Sequence, residues 1–232
     1  MITQRNIIIV GSSSALGKSA AALLRSSGEF TIGIGRSDQS EFFDEHYHIT
    51  DYDFGKFPVV DKPIHGLLYC PGTIQLKPFH RITADDWAAE LRVNLMGAVA
   101  AVNHFLPHMK NAGYASVVFV STVAVKAGMP FHASVAASKA ALEGLSRALA
   151  AEYAPIIRFN VIAPGLTESG LSERLLNTPE KREAAAKRHP MKSIGKPSDL
   201  ASAACFLLSD NAQWITGEIL AVDGGMANLR VG

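Results

Sequence analysis

The sequence predicts a doubly wound α/β fold, a three-layer sandwich built on a seven-stranded parallel sheet. Short apolar runs alternate with helical segments along the chain. The runs lack the inside/outside alternation of a half-exposed strand, as a sheet covered on both faces requires. The first run ends in a glycine turn that opens a helix.

That first unit is Ile7-Ile8-Ile9-Val10, ending at Gly11, followed by a helix from Leu16 to Ser27 that closes at Gly28. Further strands are predicted at Thr31 to Gly35, Tyr47 to Ile49, Gly66 to Cys70, Ser116 to Ser121, Ile157 to Ile162 and Ile219 to Val222. Crossover helices are predicted at Asp85 to Met109, Ala136 to Tyr153 and Ser198 to Ser209. Arg36 to Tyr47 is short, and Asp51 to Asp61 carries Gly55 and Pro58, so the early helices should be stunted. Leu166 to Lys196 is long, charged and bounded by Pro164-Gly165 and Gly195-Lys196-Pro197, which reads as a substrate lid. No repeat or linker divides residues 1–232, so one domain is expected.

Composition narrows the function. The chain is 48% hydrophobic and 19% charged, which suits a sizeable core. Lys and Arg total 22 against 21 Asp and Glu, so no global field favours nucleic acid or an anionic membrane, and a small-molecule partner is expected. Cys70 and Cys205 fit no metal-ligand spacing and read as buried apolar residues, with no metal site expected. The start, Met1 to Asn6, runs into a strand without a signal-peptide pattern, and the apolar stretch Ala115 to Val125 is too short for a membrane span. A cytoplasmic protein is expected.

The turn Val10-Gly11-Ser12-Ser13-Ser14-Ala15-Leu16-Gly17 stands between strand and helix, where backbone N–H groups and the helix dipole meet a pyrophosphate. Gly11, Ser13, Ser14, Ala15, Leu16 and Gly17 are therefore candidate cofactor contacts in a Rossmann-type unit. About twenty residues further on, an NAD site usually places an acid on the ribose hydroxyls. Here stand Gly35-Arg36-Ser37, and a guanidinium at Arg36 suits a 2′-phosphate, so NADP(H) is favoured over NAD(H). Arg36 as a solvated surface charge, and Asp38 two residues on, are the counter-readings.

These features resemble the short-chain dehydrogenase/reductase family from Ile7 to Gly225. Gly11-x-x-x-Ala15-x-Gly17 is similar to its Gly-x-x-x-Gly-x-Gly turn, with alanine for the middle glycine and Val10 for the usual threonine. Cys70-Pro71-Gly72 stands for Asn-Ala-Gly, Asn94 for the family's helix asparagine, and Asn160 to Gly165 and Thr216 to Gly225 match late signatures. The resemblance implies that Cys70, Pro71 and Gly72 line the cofactor. It also implies that Pro164, Gly165 and Leu166 lie beside the nicotinamide, and that Thr167 or Ser169 holds its carboxamide. The backbone around His48 and Ile49 would flank the adenine, although His48 replaces the family's frequent acid.

In the family, hydride passes between nicotinamide and a carbonyl or alcohol carbon while a Tyr-x-x-x-Lys pair manages the proton. Residues four apart share a helix face, so the lysine can tune the tyrosine and bind the ribose. The lysine matches Lys139, but the tyrosine position holds Val135, which has no titratable proton. Counting back from it, Thr122 falls at the position of the family's serine, with Ser121 adjacent, and a threonine hydroxyl donates the same bond. Asn94 would bend its helix and support a water chain to Lys139. His132 is the nearest candidate for the missing acid, with water or a loop-histidine role as alternatives.

The expected activity is an NADP(H)-dependent reductase or dehydrogenase acting on a carbonyl or alcohol small molecule. The alternative is a catalytically silent NADP(H)-binding sensor, or a regulatory or structural subunit. The resemblance also implies a homodimer or homotetramer through the helices Asp85 to Met109 and Ala136 to Tyr153. Their alanines, among them Ala98, Ala100, Ala101, Ala148, Ala150 and Ala151, permit close packing there or in the core.

Overall fold

The computed structural model describes residues 4–229. Seven strands form one parallel sheet: β1 Asn6–Val10, β2 Phe30–Gly35, β3 Glu45–His48, β4 Gly66–Tyr69, β5 Ala115–Val120, β6 Ile157–Pro164 and β7 Ile219–Val222. Their order is β3-β2-β1-β4-β5-β6-β7, so the winding reverses between β1 and β4. Doubly wound sheets bind ligands in the crevice beyond the strand carboxyl ends at such a switch.

Alternate residues of one strand feed two cores. On β1, Ile8 and Val10 pack with α3 (Gly97–Asn111) and α5 (Ala133–Tyr153), while Ile7 and Ile9 pack with α1 (Ala15–Ser26) and α8 (Pro197–Leu208). Both faces are therefore dry, which is why the strand sequences show no alternation. The alanines divide accordingly: Ala98, Ala100, Ala101 and Ala150 are buried, whereas Ala148 and Ala151 are exposed.

The expected elements are present with shifts of a residue or two at most ends. The connection from β2 to β3 holds only a 3-10 turn, Ser40–Phe42, and no helix joins β3 to β4, matching the stunted segments. The span between Gly165 and α8 carries two helices, α6 Glu173–Leu176 and α7 Pro179–Arg188. Between β5 and α5 lies the short helix α4, Ala124–Ala127.

One expectation needs correction. The helix read as Asp85 to Met109 is broken into α2 (Ala84–Leu91), a π-helical turn at Arg92–Met96, and α3. Thr83 and Asp86 cap its start reciprocally, Oγ1 accepting from the Asp86 N–H and the Asp86 carboxylate from the Thr83 N–H. In the π turn the Gly97 N–H reaches Arg92 O, and the buried Tyr69 hydroxyl donates to Val93 O at 2.8 Å. A side chain at Gly97 would put its Cβ 2.1 Å from that hydroxyl, so glycine is required for the approach. Periodicity alone does not reveal a single extra residue in a helical turn.

Candidate active site

The carboxyl ends of the strands open into a cavity of about 510 Å³ at the sheet's switch point. Its floor at one end is the turn after β1. Gly11 sits at φ +81, where a Cβ would meet Pro71 at 3.0 Å, and a Cβ on Gly17 would lie 2.8 Å from Gly11 O. Both glycines thus let the backbone close tightly. Ser14 caps α1 by accepting from the Gly17 N–H at 2.9 Å, leaving the helix N-terminus directed at the cavity.

Of the residues singled out from the sequence, Gly11, Ser13, Ser14, Ala15, Leu16, Arg36, Cys70, Pro71, Gly72, Ser121 and Thr122 line this cavity. So do Pro164, Gly165, Leu166, Thr167 and Ser169 at the opposite end. Gly17 is buried behind the turn and Ser37 is exposed just past Arg36. Ile49 is packed in the core rather than on the cavity wall, and Tyr52 takes a place there instead. The Arg36 guanidinium lies 5.5 Å from the Tyr52 ring centroid, a cation–π contact that holds it at the rim. Asp38 is turned away, its carboxylate accepting the Ser40 N–H at 2.9 Å.

Lys139 and Asn94 lie under Gly72. A Cβ there would fall 3.3 Å from Asn94 Oδ1 and 3.5 Å from Lys139 Nζ, so both groups press against a residue that lines the cavity without being on its wall themselves. Asn94 clamps the loop after β4, accepting the Thr73 N–H at 2.9 Å and donating to Thr73 O at 3.2 Å and Ser138 Oγ at 3.1 Å. The π turn aims it there. Lys139 is 5% exposed, donates to Val120 O at 2.7 Å, and has no ion-pair partner among the described residues. Burial pulls its ammonium down to about 8.

The Ser121 hydroxyl is committed to the buried Glu143 carboxylate at 2.6 Å. The Thr122 oxygen accepts only the Ala124 N–H, at 3.3 Å, so its proton remains free to be donated into the cavity. Val135, one turn before Lys139, is buried and does not reach the cavity wall. His132 is also off the wall, its Nδ1 2.7 Å from Pro130 O. Phe131 beside it holds a left-handed φ of +68 and its carbonyl accepts the Lys77 N–H.

Cys70 and Cys205 are free and only partly buried as residues, where buried apolar residues were expected. Burial of the sulphur nonetheless pushes both thiols up to about 12, which leaves them inert as nucleophiles. The residues that sequence reasoning missed are Tyr52, Glu90 and Glu143. Tyr52 closes its contact only through the tertiary fold, and buried Glu90 and Glu143 look like surface charges until their helices are placed.

A seven-stranded parallel sheet with a glycine-rich turn at its switch point defines a doubly wound, Rossmann-like α/β protein. Residues 59–227 match the family model described as Enoyl-(Acyl carrier protein) reductase. The 3beta-hydroxysteroid dehydrogenase 1 of Eggerthella lenta is 31% identical over 246 aligned positions, covering 96% of this chain and 93% of that protein. The 3-oxoacyl-(acyl-carrier-protein) reductase FabG of Thermotoga maritima is 38% identical over 148 residues, 63% of this chain and 59% of that protein. A solved structure of gluconate 5-dehydrogenase from Burkholderia cenocepacia J2315, in complex with NADP and tartrate, superposes with a TM-score of 0.89 at 26% identity. It covers 97% of this chain and 96% of that one. The chain belongs to the short-chain dehydrogenase/reductase family.

Proposed function

We propose that this chain is an NADP(H)-dependent oxidoreductase that interconverts a carbonyl and an alcohol on a small molecule, with Val135 in place of the family's tyrosine. The observation that carries this reading is Lys139. A fold does not bury an unpaired ammonium for stability, since desolvation costs several kcal/mol; under Gly72 it would hold a ligand's hydroxyls.

The residues present suit a dinucleotide. The Gly11 to Gly17 turn and the N-terminus of α1 would take the pyrophosphate, and Arg36, steadied by Tyr52, the 2′-phosphate. Asp38, whose carboxylate accepts the Ser40 N–H, is not among the residues that line the cavity beside Arg36. Pro164 to Thr167 would flank the nicotinamide, which when bound supplies or accepts a hydride. Lys139 would hold the ribose and Asn94 fix the loop over it. Thr122 would donate to the substrate oxygen. Residues 166–196, with their two helices, would form the lid. Two relatives named for a hydroxyl or oxo carbon, and a neighbour named with NADP, support the same class.

The test is turnover of NADPH and NADH with a panel of ketones, aldehydes and ketoacyl esters, in the wild-type chain and in Val135→Tyr. Steady wild-type turnover favouring NADPH is expected, with a gain in V135Y. Tight NADPH binding without turnover in either protein would leave the silent sensor as the reading.

A further inference from the structure

Around the cavity end at Pro164 and Gly165, nearly every polar side chain already has its partner. The Thr167 hydroxyl donates to Gly165 O at 3.1 Å, and the Ser172 hydroxyl to Thr167 O at 2.5 Å. Ser169 Oγ stands 3.2 Å from Ser172 Oγ, whose single proton is taken, so the Ser169 proton goes to that oxygen. Glu168 is paired with Arg182, and Ser121 is held by Glu143. Thr122 alone keeps a free donor, and the bond from the Val123 N–H to Pro164 O at 2.8 Å sets its loop against this end. Among the described residues Arg36 is the one cationic member of the wall, and it lies at the other end, where the turn after β1 bonds to Ile34 O.

The remainder of this end is apolar. Ile74 from the loop after β4, Val93 from the π turn, and Leu171 and Leu175 from the segment after β6 stand on the wall. Ile74, Leu171 and Leu175 are 42%, 53% and 41% exposed. Single exposed aliphatics are ordinary, whereas three on one cavity wall mark a surface that a ligand covers. Leu76 and Phe131, also exposed, stand on two loops joined by the bond from the Lys77 N–H to Phe131 O at 3.3 Å.

Resting on the oxidoreductase reading above, we infer that the substrate is a neutral, largely apolar ketone or secondary alcohol, with one oxygen at the reacting carbon and an aliphatic body against Ile74, Leu171 and Leu175. Thr122 serves that oxygen. Any further hydroxyl on the ligand would leave water without finding a free side-chain donor or acceptor, which lowers affinity. A carboxylate would meet no cation on this part of the wall, and Glu168 carries the same charge. Sugars, polyols and hydroxy acids are therefore poor substrates, although they offer the same chemistry at carbon.

The experiment measures kcat and KM with NADPH for 2-decalone, cyclohexanone, fructose and pyruvate, in the wild-type chain and in Ile74→Asn and Leu175→Asn. Both positions are exposed, so an amide there is compatible with folding. In kcat/KM, 2-decalone should exceed cyclohexanone by about tenfold, because its second ring adds buried methylenes, and fructose and pyruvate should fall below both. Each variant should raise the KM for 2-decalone about tenfold and move kcat little. Preference for fructose or pyruvate, no turnover of either ketone where other carbonyls react, or an unchanged KM in either variant overturns the inference and leaves the oxidoreductase reading standing. If NADPH binds and no carbonyl reacts, the oxidoreductase reading fails, and 2-decalone is titrated into the NADP-bound protein by calorimetry. Binding that both variants weaken then supports the apolar site, and absence of binding overturns it too.

Discussion

Lys139 holds a charge that the fold has taken out of water. The unfolded chain keeps this proton up to the ordinary lysine value of 10.5, while the folded chain gives it up from about 8. Between those values the unfolded state binds more protons, so stability rises with pH; below the lower value the full penalty of about 3 kcal/mol stands. Lys139→Met removes that penalty and loses the bond to Val120 O, worth about 1 kcal/mol. The variant should therefore be about 2 kcal/mol more stable than wild type at pH 7, with the gap closing toward pH 10. Urea unfolding at both pH values checks this; a less stable variant at pH 7 would mean the ammonium is better solvated than its burial indicates. Thr122 and Ser121 show the limit of sequence reading at this scale. Their positions were legible, but only the long-range bond to Glu143 distinguishes the occupied hydroxyl from the free one.

At the scale of elements, the strands and the first turn were legible because their signals are local: apolar runs, a glycine at positive φ and a serine cap. The bend at Asn94 was expected only through the family resemblance, and local signals do not show its π turn, since its cause is a partner on another element. Tyr69 on β4 takes the carbonyl that the π turn frees, and Gly97 makes room. Tyr69→Phe would leave Val93 O unpaired and should cost about 1 to 3 kcal/mol in unfolding free energy. It should also weaken NADPH binding, because the turn aims Asn94. Loss of stability with binding intact would separate the turn from the site. The capped start of α2, in contrast, was written in Thr83 and Asp86 and owes nothing to distant partners.

At the scale of the whole molecule, the proposed ligand would join parts that the chain brings together from far apart. The cavity is walled by the turn after β1, the loop after β4, the end of β5 and the segment after β6. A ligand bound across them stabilises only the folded state, by about 2.7 kcal/mol at a hundredfold excess over Kd. For a chain of this size that corresponds to a rise in Tm of about 5 to 10 °C. At equal concentration NADPH should raise Tm well above NADH, and Arg36→Ala should erase the difference. Equal shifts from both cofactors would remove Arg36 from the 2′-phosphate role. No helix among the described residues is long and apolar enough to cross a membrane, and none of their His, Cys, Asp or Glu groups forms a metal cluster.

The π turn has a bearing on how this sequence can change over time. Each residue of a regular helix advances the next by about 100°, so losing any one residue from Arg92 to Met96 would heal the helix while rotating α2, with Glu90, away from the loop it holds. The segment lies one deletion from a better helix and a worse site. Substitutions can drift there outside Asn94 while its length cannot, and length across this turn is therefore a trait by which retention of the site could be followed in descendants of the chain.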